Sequence, residues 1–255
     1  MKTLICSSIF VFGLNLISTS SVALPSSLAN CSANGWSLKR IGVEEALQFI
    51  TTNGTCAAKF SIEPTHDQIS DGWRAEIQDP LHFPHETLAT YEFSTYLPAQ
   101  LKGSDTPNLV LAQWHDNKVP GTPAQRPPFS LRLRSGHIVL PLFNQQVVDR
   151  HGLDGKGQIL FSQPAQFEKW TRWRIRAFWS PTAKGSLEVW MNGKRIVRYR
   201  GPIGYAHDIT APYFKLGIYT TEPFNKPLWV YHTDYRRTFA IVNSYGKIQT
   251  QDRYK

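Results

Sequence analysis

"WTRWRIRAFW", residues 170–179, is the stretch that decides the fold class. Arg172, Arg174 and Arg176 recur at every second position, with Trp173, Ile175, Ala177 and Trp179 interleaved. Successive side chains of a strand point to opposite faces, so this segment has one cationic face and one apolar face. Beyond it, "MNGKR" sets Asn192-Gly193 between strand candidates at 186–191 and 194–200, a tight hairpin signal. "RSGH" at 134–137 does similar work between 129–134 and 137–141. Further strand candidates are 73–78, 89–97, 107–115, 213–219 and 228–237. One segment reads as a helix, "VEEALQFI" at Val43–Ile50. Many short strands with hairpins and no helical alternation indicate an all-β fold: a two-sheet antiparallel sandwich or jelly roll.

Length and composition narrow the rest. The 255 residues suit one large β domain or two small ones. The 17 prolines and 17 glycines are scattered as turn punctuation, so no linker divides the chain. Residues 1–23 read as a secretory signal: Lys2, an apolar stretch around Ile9–Ile17, then Ser21-Val22-Ala23 as cleavage site. That stretch is too short and serine-rich for a membrane anchor, so a secreted or periplasmic protein is expected. Residues 24–255 then form a single domain, with 24–59 as an N-terminal extension. Cys6 leaves with the leader, and Cys31 and Cys56 are expected to pair in an oxidising compartment. The formal charge of +9, reduced to +8 by loss of Lys2, favours a polyanion: nucleic acid, acidic lipid or acidic polysaccharide. An exported protein meets the last two more often.

Three stretches place polar groups in strand register. "WRAEI" puts Arg74 and Glu76 on one face, and "QWH" does so for Gln113 and His115. "YFKLGIY" aligns Tyr213, Lys215, Gly217 and Tyr219 opposite Phe214, Leu216 and Ile218. Gly217 leaves that polar face bare, which would let a ligand approach the backbone. In "SLRLRS", Arg132 and Arg134 oppose Leu131 and Leu133. The arginine faces of this strand and of 170–179 are either a solvated convex surface or the lining of a cationic groove. Arg132, Arg134, Arg174 and Tyr213 are therefore candidate substrate contacts.

An acidic sugar polymer makes definite chemical demands. Cleavage of a uronate by β-elimination removes the C5 proton, builds charge toward the carboxylate and expels the C4 oxygen. Arg, Gln and Lys donors suit neutralisation of the carboxylate. His and Tyr suit the base and the acid. Arg74, Gln113, His115, Lys215 and Tyr219 supply this set. Hydrolysis would instead need two carboxylates flanking the bond, and the sequence has no E-x-E, E-x-D or D-x-D pair.

"WRAE", "QWH" and "YFKLGIY", in this order, resemble the jelly-roll polysaccharide lyases, which are concanavalin-like sandwiches. The resemblance spans roughly residues 60–238 and takes in "GSLEVWMNGKRIV" and "LWVYHTDYRR". Trp114 between Gln113 and His115, and the closing "GIY", look closer to the glucuronan lyase and heparin lyase I branch than to the alginate lyases. The resemblance implies that Arg74 and Gln113 neutralise the carboxylate and that His115 is neutraliser or base. It implies that Tyr219 is the acid, and in syn elimination also the base, and that Lys215 binds substrate. A tyrosinate base would need neighbouring cations, which Arg74 and Lys215 supply. After Tyr219 the chain reads Thr220-Thr221-Glu222, where the alginate branch has a Gln and related branches an Arg.

The expected partner is thus an acidic polysaccharide, met by a monomer without nucleic acid or membrane anchor. No cofactor is required. Asp116, Asp208 and Asp234 are candidates only for a structural calcium, without a dedicated loop. His82 and His85, in "HFPHE", flank Pro84 and belong to a loop bordering the cleft rather than to a zinc helix. The rival reading is a non-catalytic jelly-roll protein that binds acidic glycans.

Overall fold

The alternation read in the sequence is carried into two stacked sheets in a computed structural model of the chain. The structure describes residues 28, 31–52, 55–117, 119–121, 125–152, 157–242 and 248–249. The expected signal segment, 1–23, lies outside them. In chain order the strands are β1 (Ser37–Ile41), β2 (Leu47–Thr52), β3 (Thr55–Ile62), β4 (Trp73–Gln78) and β5 (Thr87–Tyr96). Next come β6 (Leu109–His115), β7 (Phe129–Arg134), β8 (His137–Leu142), β9 (Gln158–Pro164) and β10 (Trp170–Trp179). The last are β11 (Ser186–Met191), β12 (Lys194–Arg200), β13 (Tyr213–Thr220), β14 (Leu228–Val242) and β15 (Ile248–Gln249). One short helix, α1 (Gln145–His151), follows β8, capped by the Asn144 side chain accepting from the Val147 N–H.

The front sheet has the order β1-β4-β13-β6-β7-β8-β9, and the back sheet β12-β11-β10-β5-β14-β3-β2. Every pairing between these strands is antiparallel. This is the expected jelly roll. The apolar halves of the alternating strands meet between the sheets. Trp114, Phe129 and Phe214 of the front sheet pack on Tyr91, Phe93, Trp173 and Trp179 of the back sheet, all at most 1% exposed. The rings meet edge-on or tilted, with Tyr91 5.3 Å from both Trp114 and Phe214.

The N-terminal region departs from the sequence reading. Val43–Ile50 is no helix: Glu44–Ala46 form one 3₁₀ turn and β2 begins at Leu47. Glu, Ala, Leu and Gln favour helix locally, but pairing with β3 turns Leu47 and Phe49 toward the core. Residues 37–59, read as an extension, supply β1, β2 and much of β3, and so edge strands to both sheets. Cys31 and Cys56 form a disulfide with their Cα atoms 5.4 Å apart, which ties the segment before β1 to β3.

Gly217 has another role than the one expected. Its φ is +152°, and a Cβ there would collide with the Ala75 carbonyl of β4. The β13–β6 register shifts around it. Its carbonyl accepts from His232 Nε2 across the core at 3.1 Å, while His232 Nδ1 lies 3.1 Å from Thr95 Oγ1. Burial pushes His232 down to about 4, so it stays neutral as it braces the bulge.

Candidate active site

β13 lies between β4 and β6, and this placement joins the three sequence motifs. Tyr219 sits opposite Arg74 on β4, Lys215 opposite Gln113 on β6, and Tyr213 opposite His115. All six side chains face a groove of about 560 Å³ on the exposed face of the front sheet. Its lining runs over β1, β4, β13, β6 and β7, a width of about 19 Å at the usual strand spacing. Arg40, Arg74, Arg126, Arg132 and Lys215 line it with two carboxylates, Asp71 and Asp116.

Glu76 organises the centre from beneath. It is 1% exposed, accepts a short hydrogen bond from Gln113 Nε2 on Oε1, and pairs with Arg74 Nη1 at 3.4 Å through Oε2. A second Arg74 nitrogen, Nη2, donates to the Ser70 carbonyl at 3.0 Å, while the buried Nε–H has no partner among the described residues. Gln113 likewise spends only one amide hydrogen on Glu76. Arg74 and Gln113 thus each keep a donor hydrogen unspent, that of Arg74 being buried. Lys215, also 1% exposed, has its ammonium 5.3 Å from the Tyr213 ring. Burial pulls it down to about 8, against the opposing pull of Glu76, with Arg40 and Arg74 lowering it further.

Tyr219 is clamped from two sides. The Arg74 guanidinium stacks on its ring at 3.9 Å. On the chain before β4, Gly72 leaves room for the ring, since a Cβ there would come 2.5 Å from Tyr219 Cε2. Glu222, at the departure from the alginate pattern, accepts the Asn108 backbone N–H at 2.8 Å and so ties the end of β13 to the start of β6.

His115 is oriented through its neighbour. Nδ1 lies 2.8 Å from Asp116 Oδ1 and 3.1 Å from the Asp116 carbonyl. The carbonyl is an acceptor, so Nδ1 carries a hydrogen toward it, while Asp116 Oδ1 sets a charge beside the ring without a hydrogen bond of its own. Tyr213 stacks on the imidazole with centroids 5.4 Å apart, and His82 tilts against Tyr213 with centroids 5.3 Å apart. Burial pushes Tyr213 up to about 12, which keeps its hydroxyl protonated. Behind this edge the His85 ring meets the Asp208 carbonyl, and burial next to Asp116 raises the Asp208 carboxyl to about 6. The His82–His85 segment is the loop expected.

The remaining candidates divide. Arg132 lines the groove, its Nε donating to Ser130 Oγ at 2.9 Å; burial, then Arg134 and Arg126, bring it down to about 10, still a cation at neutral pH. Arg134 is not in the lining, although its charge reaches Arg132. Arg174 does not belong to the site. Strand β10 is in the back sheet, and Arg174 faces solvent there, 3.7 Å from Glu92. Alternation gave β7 and β10 the same pattern and could not tell which sheet each would join. Nor do the three aspartates form one calcium site: Asp116 and Asp208 are neighbours, and Asp234 is on the back sheet. Among the described residues no group of three His, Cys, Asp or Glu could hold a metal ion. The sequence reading missed Arg40, which donates to Ser70 Oγ at 2.6 Å, because β1 had no clear alternation. It also missed Gly72 and the part of Asp116 in orienting His115; a glycine before a strand and an aspartate after a histidine are weak signals.

A family model described as polysaccharide lyase matches residues 36–236. A search of curated protein sequences finds no match. Among solved structures the fold is similar to an endo-β-1,4-glucuronan lyase from the fungus Trichoderma reesei, with TM-score 0.59, 12% identity, and coverage of 81% of this chain and 88% of that one. It is also similar to alginate lyase A1-II′, a member of polysaccharide lyase family 7, with TM-score 0.56, 14% identity and coverage of 77% and 84%. Alginate lyase AlyC3 follows with TM-score 0.53, 17% identity and coverage of 72% and 75%. At these identities the structural likeness concerns the fold alone.

Proposed function

Because the chain belongs to the polysaccharide lyase family, we propose that it is an exported enzyme that cleaves a uronate-containing polysaccharide internally, with glucuronan-like polymers favoured. Export rests on the leader-like residues 1–23. Internal cleavage is supported by a groove that crosses five neighbouring strands. Glucuronan is favoured by Trp114 and the "GIY" ending of the last motif.

In this reading the carboxylate of the sugar to be cleaved meets the Arg74 guanidinium and the remaining amide hydrogen of Gln113. These donors hold the negative charge that builds when the C5 proton leaves. The C5–H electron pair becomes the C4=C5 double bond, the C4–O4 bond breaks, and O4 takes up a proton. In glucuronate the C5 proton and O4 lie on the same side of the C4–C5 bond. One group can then take the first proton and deliver the second. Tyr219 fills both roles, with Arg74 on its ring and Arg132 close by as cations, and His115 completes the carboxylate cradle. For a uronate with an anti arrangement, His115 Nε2 is the base and Tyr219 the acid.

The observation that carries this reading is the meeting of one guanidinium, one amide, one ammonium, one imidazole and one phenol in a single groove. The test is to incubate the protein with glucuronan, alginate, heparin, hyaluronan and pectate, and to follow ultraviolet absorbance of the C4=C5 bond. Glucuronan is expected to give the fastest rise. Binding without any absorbance would favour the non-catalytic glycan binder, and reducing ends without absorbance would mean hydrolysis.

A further inference from the structure

A groove of about 1060 Å³, larger than the front one, is on the back sheet and holds none of the groups invoked for the elimination. Strand register sets Lys59, Tyr231, Tyr96 and Trp170 in one row across β3, β14, β5 and β10. The Tyr96 ring is 5.8 Å from Tyr231 and 5.5 Å from Trp170. Trp229, two residues before Tyr231 on the same face, lies under the Lys59 ammonium at 5.2 Å. Beside the row, Ala57, Ser94 and Thr233 give the groove a low floor, and the Asn192-Gly193 turn forms part of its rim.

Single exposed aromatics are ordinary on a protein surface, but four along a channel floored by small side chains are not. Trp170 is 44% exposed. The polar groups along the groove are of the hydrogen-bonding kind: Arg172, Asn192 and Asp234. Three other arginines of this face meet carboxylates, Arg174 on Glu92 and both Arg176 and Arg195 on the single Glu188. The Arg172 guanidinium has no carboxylate partner among the described residues. Aromatic rings offer flat apolar faces to the C–H faces of sugar rings, and Arg172 and Lys59 add positive charge for carboxylates.

We propose that this face is a second glycan-binding site, which holds a stretch of the same acidic polymer while the front groove cleaves another. The choice of polymer rests on the functional reading above; the architecture of the site does not. The two grooves lie on opposite faces of the sandwich, so a short oligosaccharide occupies one or the other. A long polymer engages both, and its residence on the protein rises through effective concentration.

The test separates binding from turnover. Tyr219→Phe protein is run in native gels containing glucuronan or alginate, with and without Trp170→Ala/Tyr231→Ala. The double substitution is also made alone and assayed on polymer and on tetrasaccharide. Expected are about tenfold weaker retention in the gel, a similar rise in KM on polymer, and unchanged kcat/KM on tetrasaccharide. Arg172→Glu, which leaves the aromatic row intact, is expected to weaken retention in the same direction. Unchanged retention in both variants overturns the proposal. So does sedimentation showing that the wild type dimerises and the double variant does not, because the face is then an interface between copies. Should Tyr219→Phe remain active while the back-sheet variants still lose retention, the second site stands and the catalytic assignment falls.

Discussion

The guanidinium carbon of Arg74 lies 3.9 Å from the centre of the Tyr219 ring, on the adjoining strand of the front sheet. The same cation lines the groove, and its buried Nε–H has no partner among the described residues. Tyr219→Phe keeps the stack and removes only the hydroxyl. Turnover is expected to fall by about 10²–10⁴-fold with an unchanged melting temperature, read by ultraviolet absorbance and thermal unfolding. Full activity in this variant on the true polymer would remove Tyr219 from the mechanism.

The same ring depends on the missing side chain of Gly72. Gly72→Ala is expected to push Tyr219 off its seat and to lower kcat by about tenfold or more, since small displacements of a reacting group are costly. KM should change less. Steady-state kinetics on glucuronan check this, and a KM effect alone would mean that Gly72 shapes only binding.

His115 owes its tautomer to Asp116. His115→Ala is expected to lower kcat by about 10²-fold or more, and Asp116→Asn by a smaller factor, because it removes the nearby charge but keeps the backbone carbonyl that meets Nδ1–H. Gln113→Ala should lower kcat more than it raises KM if its donor acts on developing charge. Equal losses in KM alone would assign Gln113 to ground-state binding.

Lys215 is buried as a cation and held at about 8, below its ordinary 10.5. Between those two values an unfolded chain binds a proton that the folded chain has released, so stability rises with pH across this window. The cost of keeping Lys215 charged at neutral pH is about 3 kcal/mol by linkage. Lys215→Met is therefore expected to stabilise the fold at neutral pH by about 1–3 kcal/mol, with the gain shrinking above about 8, while activity falls. Urea unfolding at several pH values measures this. A destabilised variant would mean that the attraction of the Glu76 charge for Lys215 outweighs its burial.

The Cys31–Cys56 link closes a separation of 25 residues that contains β1 and β2. Reduction is expected to cost about 2–4 kcal/mol of stability, seen as a lower urea midpoint. Arg40, on β1 within that loop, should lose order at the groove edge and raise KM more than it changes kcat. An unchanged midpoint would show that strand pairing alone fixes the segment.

Sequence alone determined what is local. Period-two alternation is a property of neighbouring residues, and it gave the two-sheet fold, most strand positions from Trp73 to Tyr231, and the shared faces of Gln113 with His115 and of Lys215 with Tyr219. Where local preference and long-range pairing disagree, the pattern misleads, as at Val43–Ile50, where β3 holds the chain extended. Tertiary structure alone decided which of two cationic strands would line the front groove. Arg132 went to the groove and Arg174 to the back surface, because strand order is set by distant pairings that no short window contains. It also decided the wiring of the centre: Glu76 beneath Arg74 and Gln113, Gly72 beside Tyr219, Asp116 on His115. Those contacts depend on distances of a few ångströms between strands, and such distances are fixed only when the sheets pack.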